Sequence, residues 1–428
     1  MLGISSFTVK SRCERLLGWL CEKYYWHLYN EMKEISLLRL FLIFLKIGVT
    51  AFGGNIALVS VVRKELCERR KLLADEQILD FTTLANILPG PLASNVIAAC
   101  GFAIRGLPGA LLGLTGVVFP ALVLICVLAD FYFRFGESQT IFTIFGGLLA
   151  GVAAIIAATA LSLAKNNIKH PLQVFIMIAA AAAILLLKGF LITLLIILVS
   201  GTLGFFFFTL KKAGDTVSPL PLTKNVKSNV PIFAAGTLLA CGLVVFFMHP
   251  ASLYLQELRM LGLTFGSMSV TLFGGGYVFI PAIEKVVVDV HHWVSSKEFA
   301  DGIAMGQVTP GPVAITASFV GYKVRGVWGA VVAAISIFFP PAFLMLVAQQ
   351  FIDRIKNRPE VEAIFKGIRP AVIGMILASI WIIGKSAPHD WQSIVIFTVI
   401  LILSIWKNLD TIILIPLAGV LGFLLHMF

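Results

Sequence analysis

The sequence predicts an all-α, polytopic membrane protein made of two inverted homologous repeats with broken, re-entrant helices. Three observations predict it. The 428 residues are 59% hydrophobic and only 13% charged, with a mean hydropathy of +0.96, where a soluble domain carries about 25% charged residues. Apolar stretches such as Leu107–Phe133 and Leu191–Phe208 are long enough to cross a bilayer. Finally, Pro-Gly-Pro occurs twice inside apolar runs, as Pro89-Gly90-Pro91 and Pro310-Gly311-Pro312, and an Arg-Gly pair follows each (Arg105-Gly106, Arg325-Gly326). Proline removes a backbone donor and glycine permits unusual φ, so each copy interrupts a helix. An interruption within hydrocarbon survives only where protein or a cavity surrounds it.

In chain order, residues 1–34 mix Lys10, Arg12, Arg15 and Lys23 with Leu16, Leu17, Trp19, Leu20, Tyr24 and Trp26. They read as an N-terminal cytoplasmic segment, either an amphipathic helix on the membrane face or a loosely ordered tail. The first repeat is assigned to 35–210. It opens on an apolar segment, 37–52, ending in Phe52-Gly53-Gly54, and a basic stretch from Arg63 to Lys71 follows. Short helices near 76–88 and 92–105 flank the first break, and full spans are expected at 108–133, 140–164, 171–187 and 190–210. A cytoplasmic linker, 211–230, precedes residues 231–428, which hold a connecting span (231–248) and the second repeat.

The two repeats keep register. Phe52-Gly53-Gly54, Asp80 and Pro89 match Phe273-Gly274-Gly275, Asp301 and Pro310 at an offset of 221; Arg105, Phe119-Pro120, Gly147 and Lys165 match Arg325, Phe339-Pro340, Gly367 and Lys385 at 220. Positive charge then swaps sides. Residues 63–71 hold five Lys/Arg and the matching 284–297 two, whereas 134–149 hold one and the matching 354–369 five. Cytoplasmic loops are enriched in Lys and Arg, so the swap predicts opposite orientation of the halves.

Each break hands the chain to a new helix, whose N-terminus presents unpaired N–H groups and partial positive charge, the chemistry of an anion site. The expected solute-binding residues are therefore Pro89, Gly90, Pro91, Pro310, Gly311 and Pro312, with Ser94, Asn95, Thr309 and Thr316 beside them. Asn86 and Gln307, matched just before the breaks, are expected to donate hydrogen bonds. Gly53, Gly54, Gly274, Gly275 and Gly276 allow close backbone approach. Asp80, Asp301, Arg105 and Arg325 are coupling or structural charges, the arginines expected either to snorkel to the interface or to pair with the aspartates, rather than to touch the solute. Glu65, Glu68, Glu284 and Glu298 read as charges on solvated faces.

The net charge of +11 falls mostly in short segments between apolar runs. It marks membrane topology, with no run or motif for nucleic acid. The six cysteines form no Cys-x-x-Cys pair, and the seven histidines are scattered apart from His291-His292. No metal, cofactor or enzymatic activity is expected: the chain lacks a P-loop, a Gly-x-Ser-x-Gly elbow and a His/Glu metal spacing. The alternatives to an oxyanion carrier are a carrier of another small organic anion and a lipid-handling or scaffolding membrane protein. A homodimer is one assembly this expectation allows.

Phe-Gly-Gly with its basic segment, Leu-Pro-Gly-Pro, Gly-x-x-x-Arg-Gly, and the second copy's Phe-Gly-Gly-Gly-Tyr and Gln-x-Thr-Pro-Gly-Pro together resemble the two-domain chromate transporters. The resemblance covers residues 35–170 and 255–390. It implies a multi-pass carrier of the cytoplasmic (inner) membrane that expels chromate, with sulfate as the related anion. The sequence departs from the family pattern at Asn55, where proline is frequent, and at Leu72, where tryptophan is common.

Overall fold

A computed structural model describes residues 35–51, 54–135, 139–187, 191–209, 252–271, 278–351, 359–386, 388, 390–407 and 409–427. The N-terminal segment, the linker, the connecting span and the glycines Gly53, Gly274, Gly275 and Gly276 lie outside them. The described residues are helical, with no strand among them. In order the helices are α1 (Leu37–Thr50), α2 (Gly54–Arg63), α3 (Asp75–Ile87), α4 (Leu92–Phe135), α5 (Gln139–Asn167), α6 (Pro171–Leu186), α7 (Leu191–Thr209), α8 (Leu253–Thr271), α9 (Phe279–Glu284), α10 (Ser296–Val308), α11 (Thr316–Ala348), α12 (Pro359–Ser386), α13 (Trp391–Trp406) and α14 (Thr411–Met427). Four of these, α4, α5, α11 and α12, contain segments long and apolar enough to cross a membrane, and α6, α7, α13 and α14 are shorter apolar helices.

The helices form two series at the offsets read from the sequence. Helix α3 and helix α10 share bounds at an offset of 221, as do the π-helical segments Lys64–Arg69 and Lys285–Val290. The bounds of α6 and α13 agree at 220, beyond the stretch where residue identities could be matched. Lys71 and His292, themselves 221 apart, both sit at φ 52°.

Local chemistry explains the boundaries. Ser295 caps α10 by accepting from Glu298 N–H while the Glu298 carboxylate accepts from Ser295 N–H, a reciprocal cap. Asp390 caps α13, and Pro171 starts α6 at a position where no N–H is needed. The short helix expected at 92–105 and the span expected at 108–133 are two arms of α4. The chain reverses between them at Arg105 and Gly106 (φ 63°, ψ −152°), a backbone that only glycine adopts readily. Helix α11 reverses in the same way at Arg325 and Gly326 (φ 57°, ψ −147°). A side-chain atom at Gly101 would meet the backbone of Gly109, and one at Gly321 the backbone of Gly329, so each reversal closes into a hairpin through small residues.

The halves interlock. Within each, the first helix lies along the long broken one: Gly48 of α1 sits on the Val117 backbone of α4, and α8 packs on α11. Between halves, α4 packs on α11 and α5 on α12. The closing pair of each half is exchanged: α6 and α7 lie against α12, and α13 and α14 against α5. Gly204 meets Gly367, and Gly147 meets Gly422, the small-residue contact that lets helices approach closely where hydrocarbon gives no driving force for association.

Candidate functional site

The two breaks lie on the seam between the halves. Gly90 is buried at φ 99° and Gly311 at φ 110°. A methyl group at Gly90 would overlap the ring of Pro341 in α11, and the carbonyl of Ser269 in α8 is next nearest. A methyl group at Gly311 would lie 3.3 Å from Ala121 Cβ in α4, and Gly311 N–H donates to Ala51 C=O at 2.7 Å at the end of α1. Ala121 and Pro341 are matched positions. Each break is therefore held by the same place in the opposite half, the reciprocity of a two-fold arrangement.

Behind the first break the helix begins at Leu92, where leading N–H groups have no partner within the helix. Asn95 N–H donates to Pro91 C=O, and the Asn95 amide donates to Pro89 C=O at 3.0 Å. The Ser94 hydroxyl donates to Pro91 C=O at 2.7 Å. Both side chains brace the break, and Asn95 Oδ1 is buried with no hydrogen-bond partner among the described residues. Behind the second break a single 3-10 turn, Val313–Ile315, leads into α11. Thr309 donates to Gly306 C=O and Thr316 to Val313 C=O. Pro89, Pro91, Pro310 and Pro312 are all buried.

The matched amides differ. Gln307 is buried, and neither of its side-chain polar atoms has a partner among the described residues. Asn86 is exposed and donates to Thr82 C=O, within its own helix. The two matched amides thus stand differently: the Asn86 side chain is spent on its own backbone, and the Gln307 side chain is buried without a hydrogen-bond partner among the described residues. The surroundings differ equally. In α10 every residue from Phe299 to Gln307 is buried, whereas in α3 Leu79, Thr83 and Asn86 are exposed.

Arg325 and Asp301 do not pair. Arg325 forms an ion pair with Glu257 of α8 and lies over the Tyr254 ring. Asp301, 1% exposed, accepts from the Tyr132 hydroxyl of α4 at 2.6 Å. Asp80 and Arg105 are half-buried. A second bond crosses the seam nearby, Tyr322 to Asp130 at 2.8 Å, and Lys323 stands over the Phe133 ring and binds Glu298 at 2.9 Å. These contacts set the C-terminal end of α4 beside the hairpin of α11, so the long helices run in opposite directions. Sequence reading missed Asp130 and Tyr132; the available signal was two polar residues, two apart, inside an apolar run. Glu65 corrects another expectation: it is buried at the junction of α1 and the first π-helical segment, bound by Lys46 at 2.8 Å and Arg69 at 2.6 Å, with Arg70 alongside. Glu284 and Glu298 are half-buried, and Glu68 alone of the four is exposed.

The chromate transporter family model matches residues 38–205 and again 259–423, one region in each series of helices. The chain belongs to the chromate transporter family. Proteins of this family are membrane transporters rather than enzymes. An uncharacterised transporter of Methanocaldococcus jannaschii is 30% identical over 91% of this chain and 94% of its own length. The chromate transport protein of Cupriavidus metallidurans is 27% identical over 83% of this chain and 84% of its own. A probable chromate transport protein of Synechococcus elongatus is 28% identical, over 87% and 90%. No solved structure matches the chain. Both family regions include a break and the hairpin that follows it, so the residues of the two breaks lie within the matched part of the chain.

Proposed function

We propose that this protein is a secondary carrier that moves chromate, with sulfate as the related anion, outward across the cytoplasmic membrane, and that the anion binds at the helix starts behind the two Pro-Gly-Pro breaks. The observation that carries the reading is the reciprocal seating of Gly90 against α11 and Gly311 against α4. Broken helices meeting where two repeats join are the general form of a transport site. A tetrahedral dianion suits N–H groups, hydroxyls and a neutral amide, and Gln307 is a buried amide with unused capacity. Chromate as the solute comes from the names of the relatives.

The Lys/Arg pattern assigns the 63–71 face to the cytoplasm, with the halves inverted across the membrane. The open α3 then faces inward and the sealed α10 outward, the asymmetry expected of one end of an alternating-access cycle. A cell interior negative by 100 mV favours exit by about 2.3 kcal/mol per charge moved. Purified protein in vesicles of both orientations, given labelled chromate or sulfate with and without an imposed potential, tests the proposal. The expected result is flux that quickens when the potential drives anions from the cytoplasmic face to the outer face. Equal permeability in protein-free vesicles would refute it.

A further inference from the structure

The carrier reading leaves without a role the buried carboxyl of Asp301, which among the described residues has no cation bound to it as Glu65 has. Asp301 lies nine residues before Pro310 on the helix that ends in the second break, about 14 Å along the axis. It is 1% exposed, Oδ2 accepts from Tyr132, and Oδ1 has no hydrogen-bond partner among the described residues. Its match, Asp80, is half-exposed. The asymmetry extends to its neighbours. At the matched places of the other half, Phe102 stands for Tyr322, Gln350 for Asp130 and Ile352 for Tyr132. The polar seam at Asp301 belongs to one side of the molecule.

A carboxyl buried at membrane depth beside a single neutral donor is costly to keep for structure alone and marks a proton or ion pathway. The groups acting on it are Tyr132 from α4 and Lys297 and Glu298 from α10; Glu298 is bound by Lys323 of α11. Phe145 of α5 and Phe319 of α11 close on the Tyr132 ring at 5.4 and 5.6 Å. A dianion arriving at the breaks repels an ionised Asp301 along this helix, so anion and proton bind with mutual support.

Resting on the carrier reading, we infer that Asp301 is a proton-binding site of the transport cycle: its carboxylate takes up one proton as the dianion binds, the two cross together, and Tyr132 is the positioning residue that latches the carboxyl to the opposite half. The proton adds to a free oxygen of Asp301 and leaves from it on the far side; no other bond changes. One net negative charge moves per cycle, which the membrane potential still favours outward in the absence of a pH gradient.

The test uses the full chain in vesicles with the potential clamped at zero. Labelled sulfate is the principal probe because it stays a dianion throughout the working range; labelled chromate is run beside it. With one proton per anion, a pH gradient of one unit accumulates the anion about tenfold on the alkaline side. Asp301→Asn loses the accumulation, and its residual exchange becomes independent of pH. Tyr132→Phe keeps the final ratio but shifts the pH at which exchange is half-maximal; a merely structural role alters the rate and leaves the pH profile in place. Should Asp301→Asn fail to fold, the Tyr132→Phe profile and the wild-type ratio decide. Isotope self-exchange without pH-driven accumulation overturns the proton site and leaves the carrier intact. Absence of self-exchange with either anion overturns the carrier reading, and this inference falls with it.

Discussion

A single methyl group separates the roles of the glycines. At Gly90 a side chain overlaps the Pro341 ring and meets an unfavourable φ together, while at Gly311 the same unfavourable φ is joined only by a tight 3.3 Å approach to Ala121 Cβ. At Gly106 nothing lies within 4 Å and the backbone sits at φ 63°, ψ −152°, so alanine there meets strain alone, about 1–3 kcal/mol. Replacing Gly90 by Val is expected to abolish transport while insertion survives. Gly90→Ala is expected to impair flux more than Gly311→Ala, and Gly106→Ala to lower thermal stability without removing flux. Flux per folded molecule in vesicles checks the series, and normal kinetics in Gly90→Val would count against a role for the break. The amides make a second comparison. Gln307→Leu removes a buried donor held at the seam, an interaction of about 1.5 kcal/mol or more with a charged ligand, and is expected to raise the KM for chromate roughly tenfold. Asn86→Leu removes a bond within one exposed helix and is expected to leave KM within about twofold. Equal effects on KM would mean that the two amides face the solute alike.

At the scale of elements, legibility followed the origin of each signal. The short helix before the first break could be read because apolar runs and Pro-Gly-Pro act locally, but the Arg-Gly pairs, though visible, did not announce that the chain reverses there into a hairpin. Partners were not legible. Nothing within the sequence near Asp301 points to Tyr132, 169 positions away, and a run of alternating charge around Glu65 reads as a solvated face until α1 brings Lys46 onto it. That staple has its own consequence. The hydrogen bond from Lys46, with help from Arg69, holds the Glu65 carboxyl below the usual carboxylate range. A depressed pKa in the folded state contributes stability that is complete above the unfolded value and is lost as pH falls through the folded one. Acid is therefore expected to loosen α1 from the first π-helical segment. Glu65→Gln is expected to cost about 1–2 kcal/mol near neutrality, a value reduced because the three cations are partly solvated, and to flatten the acid limb of the Tm-against-pH curve. An unchanged acid limb in that variant would show that the staple does not govern acid stability.

For the molecule as a whole, the matched residues announced two copies of one unit, but not that each copy lends its last two helices to the other. Interleaving of this kind leaves no trace in composition, because a helix packs on a matched partner through the same small residues whichever half supplies it: Gly204 meets Gly367 as Gly147 meets Gly422. What the interlocked fold does make testable is orientation. The seam sets the end of α4 beside the hairpin of α11, so matched positions must emerge at opposite ends of the assembly. Lys71 and His292 are the natural pair, both exposed and with the same backbone conformation, so one substitution perturbs both alike. With the six native cysteines replaced, Lys71→Cys is expected to react with an impermeant thiol reagent only from the cytoplasmic face, and His292→Cys only from outside. The arginines and lysines of 63–71 and 354–369 demand that assignment, since the potential and the anionic inner leaflet both favour keeping them inside. Labelling of both cysteines from one face would mean that the halves are parallel. The two breaks would then open toward the same compartment, and no exchange of the open and sealed sides between α3 and α10 could carry an anion across.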